Sequence, residues 1–362
     1  MATVRVEGSK VYIEGVRRIA WDTGEMCEFA SALTAAVECL GEDISYHYVM
    51  GTSGAAFRFT LNPGEWDFGN YGIRNISADP DEPIRRAIEA VGYEYILCER
   101  ASKQDDTAGI IASIARGTPV LAFRVVGPSD CCIITGYDEG GEVLLGWSTY
   151  QDIPDDHNIP HDPTGYFRKP GWHDNLGGYI LIGAKMERPP QRAIYLDALK
   201  WAVYLIRTPR MGHKYTGLEA LRVWAEEMSQ EKYFPEGNDQ VLGHRYVSAA
   251  INMTMLHDHR SAAPFLRQVA EEQPDSAPEL SPAVACYTEV YRLRDSLDGL
   301  IKDDFSEKAM KGIADPDIRR AYANIVLQIR DQEEEAVAHI ERVLERLGGH
   351  KQRCAARPAS HG

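Results

Sequence analysis

Residues 27–41 read CEFASALTAAVECLG, an apolar stretch that begins with a cysteine and stops at a glycine. Its apolar side chains recur mostly three and four positions apart, at Phe29, Leu33, Ala36, Val37 and Leu40. That period predicts a helix with one face in a core, and Gly41 is typical of a helix end. Cys27 therefore stands at the start of a buried helix, where the first turn leaves backbone N–H groups unpaired.

A second stretch, residues 133–147, reads IITGYDEGGEVLLGW. Two apolar runs flank an Asp-Glu-Gly-Gly turn, which predicts a β-hairpin. The other elements predicted before residue 190 are a hairpin at 3–14, loops and short strands at 50–75, helices at 83–91 and 107–116, the second capped by Asp105 or Asp106, and strands at 93–98, 119–126 and 178–182.

The pattern changes near residue 190. Residues 1–190 hold 16 basic side chains, 28 acidic side chains and 22 glycines, whereas residues 191–362 hold 23, 26 and 9. After the step, apolar residues follow the helical period and prolines separate the segments. Helices are predicted at 191–207, 215–229, 241–257, 260–273, 281–297, 303–312 and 316–347. We therefore expect a domain with a sheet at 1–190, an all-α helical bundle domain at 191–350 and a disordered tail at 351–362.

Composition and charge exclude several classes of function. The chain has 362 residues and a formal charge of −15, which argues against nucleic-acid binding and against polybasic attachment to a membrane. No stretch approaches the roughly 18 consecutive apolar residues of a membrane span, and the start lacks a signal peptide's apolar core. A cytoplasmic location is expected. Seven cysteines without a CxxC pair predict neither a disulfide framework nor a zinc knuckle. No metal and no cofactor is expected.

The order of elements is similar to that of a known family. A cysteine opens an apolar helix, a helix and the strand at 119–126 follow, and the hairpin at 133–147 comes next. This order resembles the papain-like cysteine peptidase fold in its C39-type variety, and in particular the N-terminal domain of butirosin-biosynthesis acyltransferase-like proteins. Residues 46–59, YHYVMGTSGAAFRF, also resemble that family's segment after the cysteine helix. The resemblance spans residues 20–185 and implies an α+β fold, with a papain-like domain at 1–190 before the helical bundle.

The resemblance also implies a mechanism. Cys27 is the expected nucleophile, because a helix N-terminus lowers the pKa of a thiol, and its thiolate would form an acyl-enzyme that water or an amine resolves. Asp130 stands where the family has its histidine base, and the orienting positions, 146–148, hold Gly-Trp-Ser. No glutamine precedes Gln104, so the family's oxyanion glutamine is unmatched. Acidic residues beside the cysteine oppose thiolate formation, namely Asp22, Glu25 and Glu28.

Other residues offer alternatives to this catalytic pair of Cys27 and Asp130. The candidates for a replacement base are His47, His157, His161 and His173. Cys131 and Cys132 are adjacent at the start of a strand. They are expected to be buried core residues rather than to supply a second sulfur to the catalytic site. The loop at 150–175 is expected to be a polar lid rather than a metal site, because Pro160 interrupts the spacing of its histidines.

Substrate-binding residues are expected around the cysteine. Small residues within 52–59 let a ligand approach the backbone, and a guanidinium can hold a carboxylate or a phosphate. The same stretch is equally compatible with a tight turn packed beside the cysteine helix. The expected set is Trp21, Ser53, Gly54, Arg58, Trp147 and Tyr166. Later in the sequence, residues 257–265 are expected to form a corner between two helices, with Asp258 as the cap of that corner.

Two functions stay open. One is cysteine-dependent acyl transfer, or amide or thioester hydrolysis, on a small amine-containing substrate with altered catalytic residues. The other is a catalytically degenerate papain-like domain that binds a small molecule or a protein partner. The acidic balance of residues 1–190 favours a neutral or cationic ligand over an anionic one. The amphipathic run at 331–347 is expected to be solvated or to form a contact in a homo-oligomer.

Overall fold

The computed structural model describes residues 3–63, 71–127, 131–153, 159–235, 237–302, 304 and 306–347. Asp130, His157 and the tail at 351–362 therefore lie outside the described residues. The fold is mixed α+β and contains a curled antiparallel sheet that forms a half-barrel, together with several helices. This confirms the α+β class expected from the sequence, while the papain-like arrangement within that class stays a prediction.

Strands of the described residues form two sheets. They are β1 (Thr3–Glu7), β2 (Lys10–Glu14), β3 (Thr60–Leu61), β4 (Tyr93–Cys98), β5 (Val120–Phe123), β6 (Cys131–Asp138), β7 (Val143–Trp147), β8 (Phe167–Pro170), β9 (Tyr179–Lys185), β10 (Arg210–Met211) and β11 (Lys214–Thr216). The main sheet has the order β1–β2–β6–β5–β9–β4, and β7 pairs with both β6 and β8. β6 is its centre, because β2 and β5 share one edge of this strand and β7 takes the other.

The hairpin predicted at 133–147 is confirmed as β6 and β7. A register shift between Ile134 and Gly136 interrupts their ladder. A Cβ at Gly136 would stand 2.6 Å from the Val11 carbonyl oxygen, so the absence of a side chain lets β2 pair closely with β6 at this point.

Each helix predicted from the sequence is present in the described residues. The helices are α1 (Glu28–Cys39), α2 (Tyr46–Ser53), α3 (Glu82–Val91), α4 (Lys103–Ala115), α5 (Gln191–Arg207), α6 (Gly217–Ser229), α7 (Asp239–Asp258), α8 (Ala262–Glu272), α9 (Ala277–Leu300), α10 (Glu307–Gly312) and α11 (Pro316–Arg346). None of them, over the described part of the chain, is both long and apolar enough to cross a membrane.

Two local predictions were wrong. The loop and short-strand stretch predicted from residue 50 begins inside α2, which the Ser45 side chain caps by accepting from the Tyr48 N–H and which ends at Gly54 in the left-handed region. The cap of α4 is Ser102, whose hydroxyl accepts from the Asp105 N–H, rather than either aspartate. In both helices a serine just before the first turn satisfies a backbone N–H that has no partner within the helix.

The segments before and after residue 190 pack on each other. β3 from the first pairs with β11 from the second, and α2 packs against both α5 and α8. One cluster of buried apolar residues includes members of both segments. The composition step at 190 falls between the end of β9 and the start of α5. The division into two domains stays a prediction.

Candidate functional site

Cys27 stands at the N-cap position of α1, where the sequence predicts it. Its backbone is extended (φ −80°, ψ 103°), and its carbonyl accepts from the Ser31 N–H at 3.0 Å, so the helix begins directly after it. The α1 residues at 28–37 are all buried, and Cys27 itself is only 3% exposed. The sulfur therefore lies inside the protein rather than on its surface.

Two tyrosine hydroxyls hold the backbone at the cysteine. The Cys27 N–H donates to Tyr46 Oη at 3.0 Å, and the Tyr71 hydroxyl donates to the Met26 carbonyl. A backbone N–H beside a nucleophile is the kind of group that stabilises the oxyanion in acyl transfer. Here that N–H already has a partner, so a substrate oxygen would have to displace Tyr46.

A buried ion pair lies next to these tyrosines. Arg58 Nη2 donates to Asp258 Oδ2 at 2.7 Å, and both side chains are almost fully buried. The Arg58 guanidinium also lies 5.1 Å from the centre of the Tyr71 ring and donates to the Gly72 carbonyl at 3.3 Å. Asp258 therefore does not cap the corner between α7 and α8 as predicted, because its carboxylate is turned inward to a guanidinium.

A second buried ion pair continues the network to the last helix. His259 Nδ1 lies 2.5 Å from Glu333 Oε1 on α11, and His259 Nε2 donates to the Arg58 carbonyl at 2.7 Å. Burial lowers the pKa of His259, but Glu333, the Arg58 carbonyl and Asp258 together raise it above its ordinary value. The four side chains Arg58, Asp258, His259 and Glu333, together with Cys27, Tyr46 and Tyr71, are called the inner cluster below.

The inner cluster disfavours a thiolate. Burial raises the pKa of the Cys27 thiol far above its ordinary value, and the Asp258 and Glu28 carboxylates act in the same direction. Arg58 and the Ala30 N–H favour the thiolate but do not offset the burial. The thiol is therefore protonated at neutral pH, and the helix N-terminus alone does not activate it.

Asp258 is the group in the inner cluster best placed to change charge. Burial raises its pKa to about 6, although the Arg58 guanidinium favours the carboxylate. Its second oxygen, Oδ1, is buried without a hydrogen-bond partner in the described structure. A carboxylate with one oxygen held by a guanidinium and one oxygen unpaired is chemically able to accept a proton.

Three of the predicted binding residues lie beside the start of the cysteine helix or at the end of α2. Trp21 Nε1 donates to Glu28 Oε1 at 3.4 Å, so its ring lies beside the first turn of α1. Ser53 and Gly54 instead contact α5. Trp201 Nε1 donates to the Ser53 carbonyl at 3.0 Å, and a Cβ on Gly54 would stand 2.4 Å from that nitrogen. Arg58, the fourth, belongs to the inner cluster.

Trp147 and Tyr166 lie elsewhere. Trp147 Nε1 donates to the Val16 carbonyl at 2.9 Å, and its ring packs edge-on against Tyr166 at 5.0 Å. The Tyr166 hydroxyl donates to the Ile13 carbonyl at 2.7 Å and lies within electrostatic reach of Cys39. Cys39 is the last residue of α1, about 18 Å along the helix from Cys27 at 1.5 Å per residue. The structure therefore does not group this pair with the inner cluster.

The histidines proposed as replacement bases have other contacts. These are His47 Nδ1 to Ser261 Oγ at 3.1 Å, His161 Nε2 to the Gln151 carbonyl at 3.4 Å, and His173 Nε2 to Asp106 Oδ2 at 2.9 Å. His157 and Asp130 lie outside the described residues. The role of base at Cys27 therefore stays untested for these two, while Asp258 enters as a candidate that the sequence did not indicate.

The described residues 159–175 of the predicted lid contribute to the sheet and the core. Phe167 begins β8, which pairs with β7, and both Phe167 and Trp172 are fully buried. Trp172 Nε1 donates to the Gly141 carbonyl at 2.9 Å. These residues therefore support the sheet instead of closing over a cleft as a lid. Cys131 and Cys132 are buried in β6, as expected for core residues.

The sequence does not predict most of the inner cluster as a site. It places Asp258 and His259 in a corner between helices, and no local pattern marks Tyr46, Tyr71 or Glu333 as site residues. The only available signal was the placement of several polar residues within apolar surroundings, which does not indicate their partners.

Comparison with known proteins leaves the resemblance without further support. A scan of the chain against protein-family models and a search of curated proteins both find no match. Groups of three or more His, Cys, Asp or Glu side chains arranged to hold a metal ion are absent from the described residues.

Proposed function

We propose that this chain acts by binding a ligand through a papain-like fold whose cysteine does not serve as a nucleophile. The observation that carries the proposal is the enclosure of Cys27, which is 3% exposed and has its N–H bonded to Tyr46. A nucleophile has to reach a carbonyl carbon, and an oxyanion donor has to be available when it does. Neither condition is met in this arrangement.

The electrostatics support the same proposal. Burial, Asp258 and Glu28 all raise the pKa of the thiol, so the reactive thiolate is rare at neutral pH. The family's histidine, orienting residue and glutamine also have no match in the sequence. The members of such a catalytic set act as a unit, so the loss of several would lower the rate by orders of magnitude.

The ligand class follows from the charge of the first segment. Residues 1–190 hold 28 acidic and 16 basic side chains, which attracts cations and repels anions at long range. The proposed ligand is a small neutral or cationic molecule such as an amine, or a protein partner with a basic surface. A homo-oligomer remains compatible with this role, although the apolar face of α11 packs against α9 and α6 within the chain.

Alkylation of the folded protein tests the proposal. Under native conditions iodoacetamide should modify the partly exposed Cys39 and Cys98 before Cys27, with peptide mapping to assign each adduct. In urea, all three should react at comparable rates. A Cys39→Ala variant serves as the control, because it removes a competing thiol without touching the inner cluster. Preferential labelling of Cys27 in the folded protein would contradict the proposal.

A second function, cysteine-dependent acyl transfer, is favoured by one observation. Asp258 has an unpaired buried oxygen, its charge acts on Cys27, and its pKa lies at about 6, all of which suit a general base. Arg58 would then help to stabilise the thiolate. This function requires the enclosure around Cys27 to open and Tyr46 to release the Cys27 N–H.

A further inference from the structure

Basic side chains gather on the outer side of the corner between α7 and α8. His257 lies near the end of α7, Arg260 lies in the following 3₁₀ turn, and Arg294 lies on α9. The Arg260 guanidinium is 5.1 Å from the centre of the Tyr291 ring, and the His257 ring is 6.1 Å from the same ring. His257, Arg260 and Arg294, with Tyr291 beneath them, are called the outer cluster below.

The outer cluster borders the loop that leads into the cysteine helix. A Cβ on Gly24 would stand 3.5 Å from Arg260 Nη1, and the Gly24 backbone lies within hydrogen-bonding reach of the His257 ring. Arg260 also acts electrostatically on His47, the second residue of α2. Arg260 is exposed, so solvent has access to the cluster.

The guanidinium groups of the outer cluster have N–H donors without a protein acceptor. Arg294 Nε is buried without a hydrogen-bond partner in the described structure. Arg260 makes a cation–π contact with Tyr291 but forms no ion pair with any described residue. The closest acidic contact is peripheral, since Arg294 Nη1 lies 3.6 Å from the exposed Asp295. Buried donors are normally satisfied, so the unpartnered Arg294 Nε beside the exposed Arg260 guanidinium points to an absent acceptor.

The charges around the outer cluster also favour a bound anion. Burial, Arg294 and Arg260 together lower the pKa of His257 to about 4, against weaker opposing effects of the Gly24 backbone and Asp295. Burial and Arg260 also lower the pKa of His47, whereas Glu25 raises it. Two histidines are thus kept neutral beside arginines, and a bound anion would reverse that by favouring their protonated forms.

We propose that the outer cluster binds the phosphate group of a small molecule, with Arg260 and Arg294 as its charged donors. Guanidinium groups match phosphate oxygens through several N–H donors, and a phosphate offers two guanidiniums more acceptor oxygens and more negative charge than a carboxylate does. The formal charge of −15 does not prevent this, because most of it lies in residues 1–190, whereas residues 191–362, which supply both arginines, hold 23 basic and 26 acidic side chains. The site does not use Cys27 and is independent of the function proposed for the inner cluster.

Isothermal titration calorimetry with inorganic phosphate, phenyl phosphate and acetate tests the proposal. A chloride salt keeps the ionic strength constant in all three titrations. Both phosphates should bind the wild type, and acetate should bind at least about tenfold more weakly, since it offers fewer acceptors. Arg260→Gln should weaken phosphate binding about tenfold or more, the usual loss of a charge-assisted hydrogen bond. The matched control is Arg210→Gln, which removes another exposed arginine lying 3.9 Å from a tyrosine ring centre and should leave binding unchanged.

A spectroscopic readout separates a bound anion from a general salt effect. Phosphate should raise the pKa of His257 in the wild type and in Arg210→Gln, but not in Arg260→Gln. NMR titration of the His257 ring nitrogens measures this pKa in each protein. Equal phosphate binding by the wild type and Arg260→Gln would overturn the proposal. So would acetate binding as tight as phosphate, or the absence of any phosphate binding above the chloride background.

Discussion

The corner between α7 and α8 carries two histidines two residues apart, in opposite surroundings. His259 faces inward, where each cation of the inner cluster has a carboxylate partner, Arg58 with Asp258 and His259 with Glu333. His257 faces the outer cluster, where two arginines have no buried carboxylate. Paired buried charges therefore join segments of the fold in the inner cluster, whereas the guanidinium groups of the outer cluster, which lack a buried carboxylate, are the proposed donors to an anionic ligand.

Breaking the inner ion pair should have the largest effect. Arg58→Met leaves the buried Asp258 without its cation and should lower the free energy of unfolding by about 3–5 kcal/mol at pH 7.5, measured by urea denaturation. Arg58→Met combined with Asp258→Leu should cost less, because no buried charge is then left unpaired. Arg260→Gln in the outer cluster should change stability by about 0.5 kcal/mol or less. Similar losses for the Arg58 and Arg260 single variants would contradict the distinction between the two clusters.

The pH dependence of stability should show the next largest effect. The pKa of Asp258 is about 6 in the folded protein, above its ordinary value, so the folded state holds this proton more tightly than the unfolded chain. Its contribution to the free energy of unfolding is therefore present at pH 4 and lost as pH rises through 6. Since one pKa unit equals 1.36 kcal/mol, the contribution is about 2–3 kcal/mol.

Comparison with Asp258→Asn isolates this group from all other titrations. The difference in unfolding free energy between the wild type and the variant should grow in favour of the wild type between pH 7 and pH 4. His259 also lowers the free energy of unfolding as the pH rises, because its pKa is raised in the folded state. Both proteins contain His259, so the comparison between them isolates Asp258. Parallel pH profiles for the two proteins would show that Asp258 does not titrate in the folded state.

The elements of the fold were largely predictable because they depend on local patterns. The period of residues 27–41 predicts α1, and the turn at 138–141 predicts the pairing of β6 with β7. The helices after residue 190 follow from apolar spacing and prolines in the same way. Where local prediction failed, as at α2, the helix is short and rich in residues with weak helical preference.

The inner cluster was not predictable, because its partners are distant in sequence. Arg58 and Asp258 are 200 residues apart, and no local pattern links them. Arg58 is expected from the sequence to hold a carboxylate or a phosphate of a ligand, and the structure supplies a carboxylate from the protein itself. For the same reason Cys27 could be placed at a helix start from the sequence, whereas its enclosure by Tyr46 and Tyr71 could not.

Incubation of the folded protein with a small acyl thioester, followed by intact-mass spectrometry, tests the central claim that Cys27 is enclosed and not nucleophilic. Cys27→Ala is the matched control, because it removes only the sulfur in question. Our account predicts no acyl adduct at Cys27 and the same rate of thioester loss for the wild type and Cys27→Ala. A mass increase of one acyl group that maps to Cys27 and is absent from Cys27→Ala would contradict it.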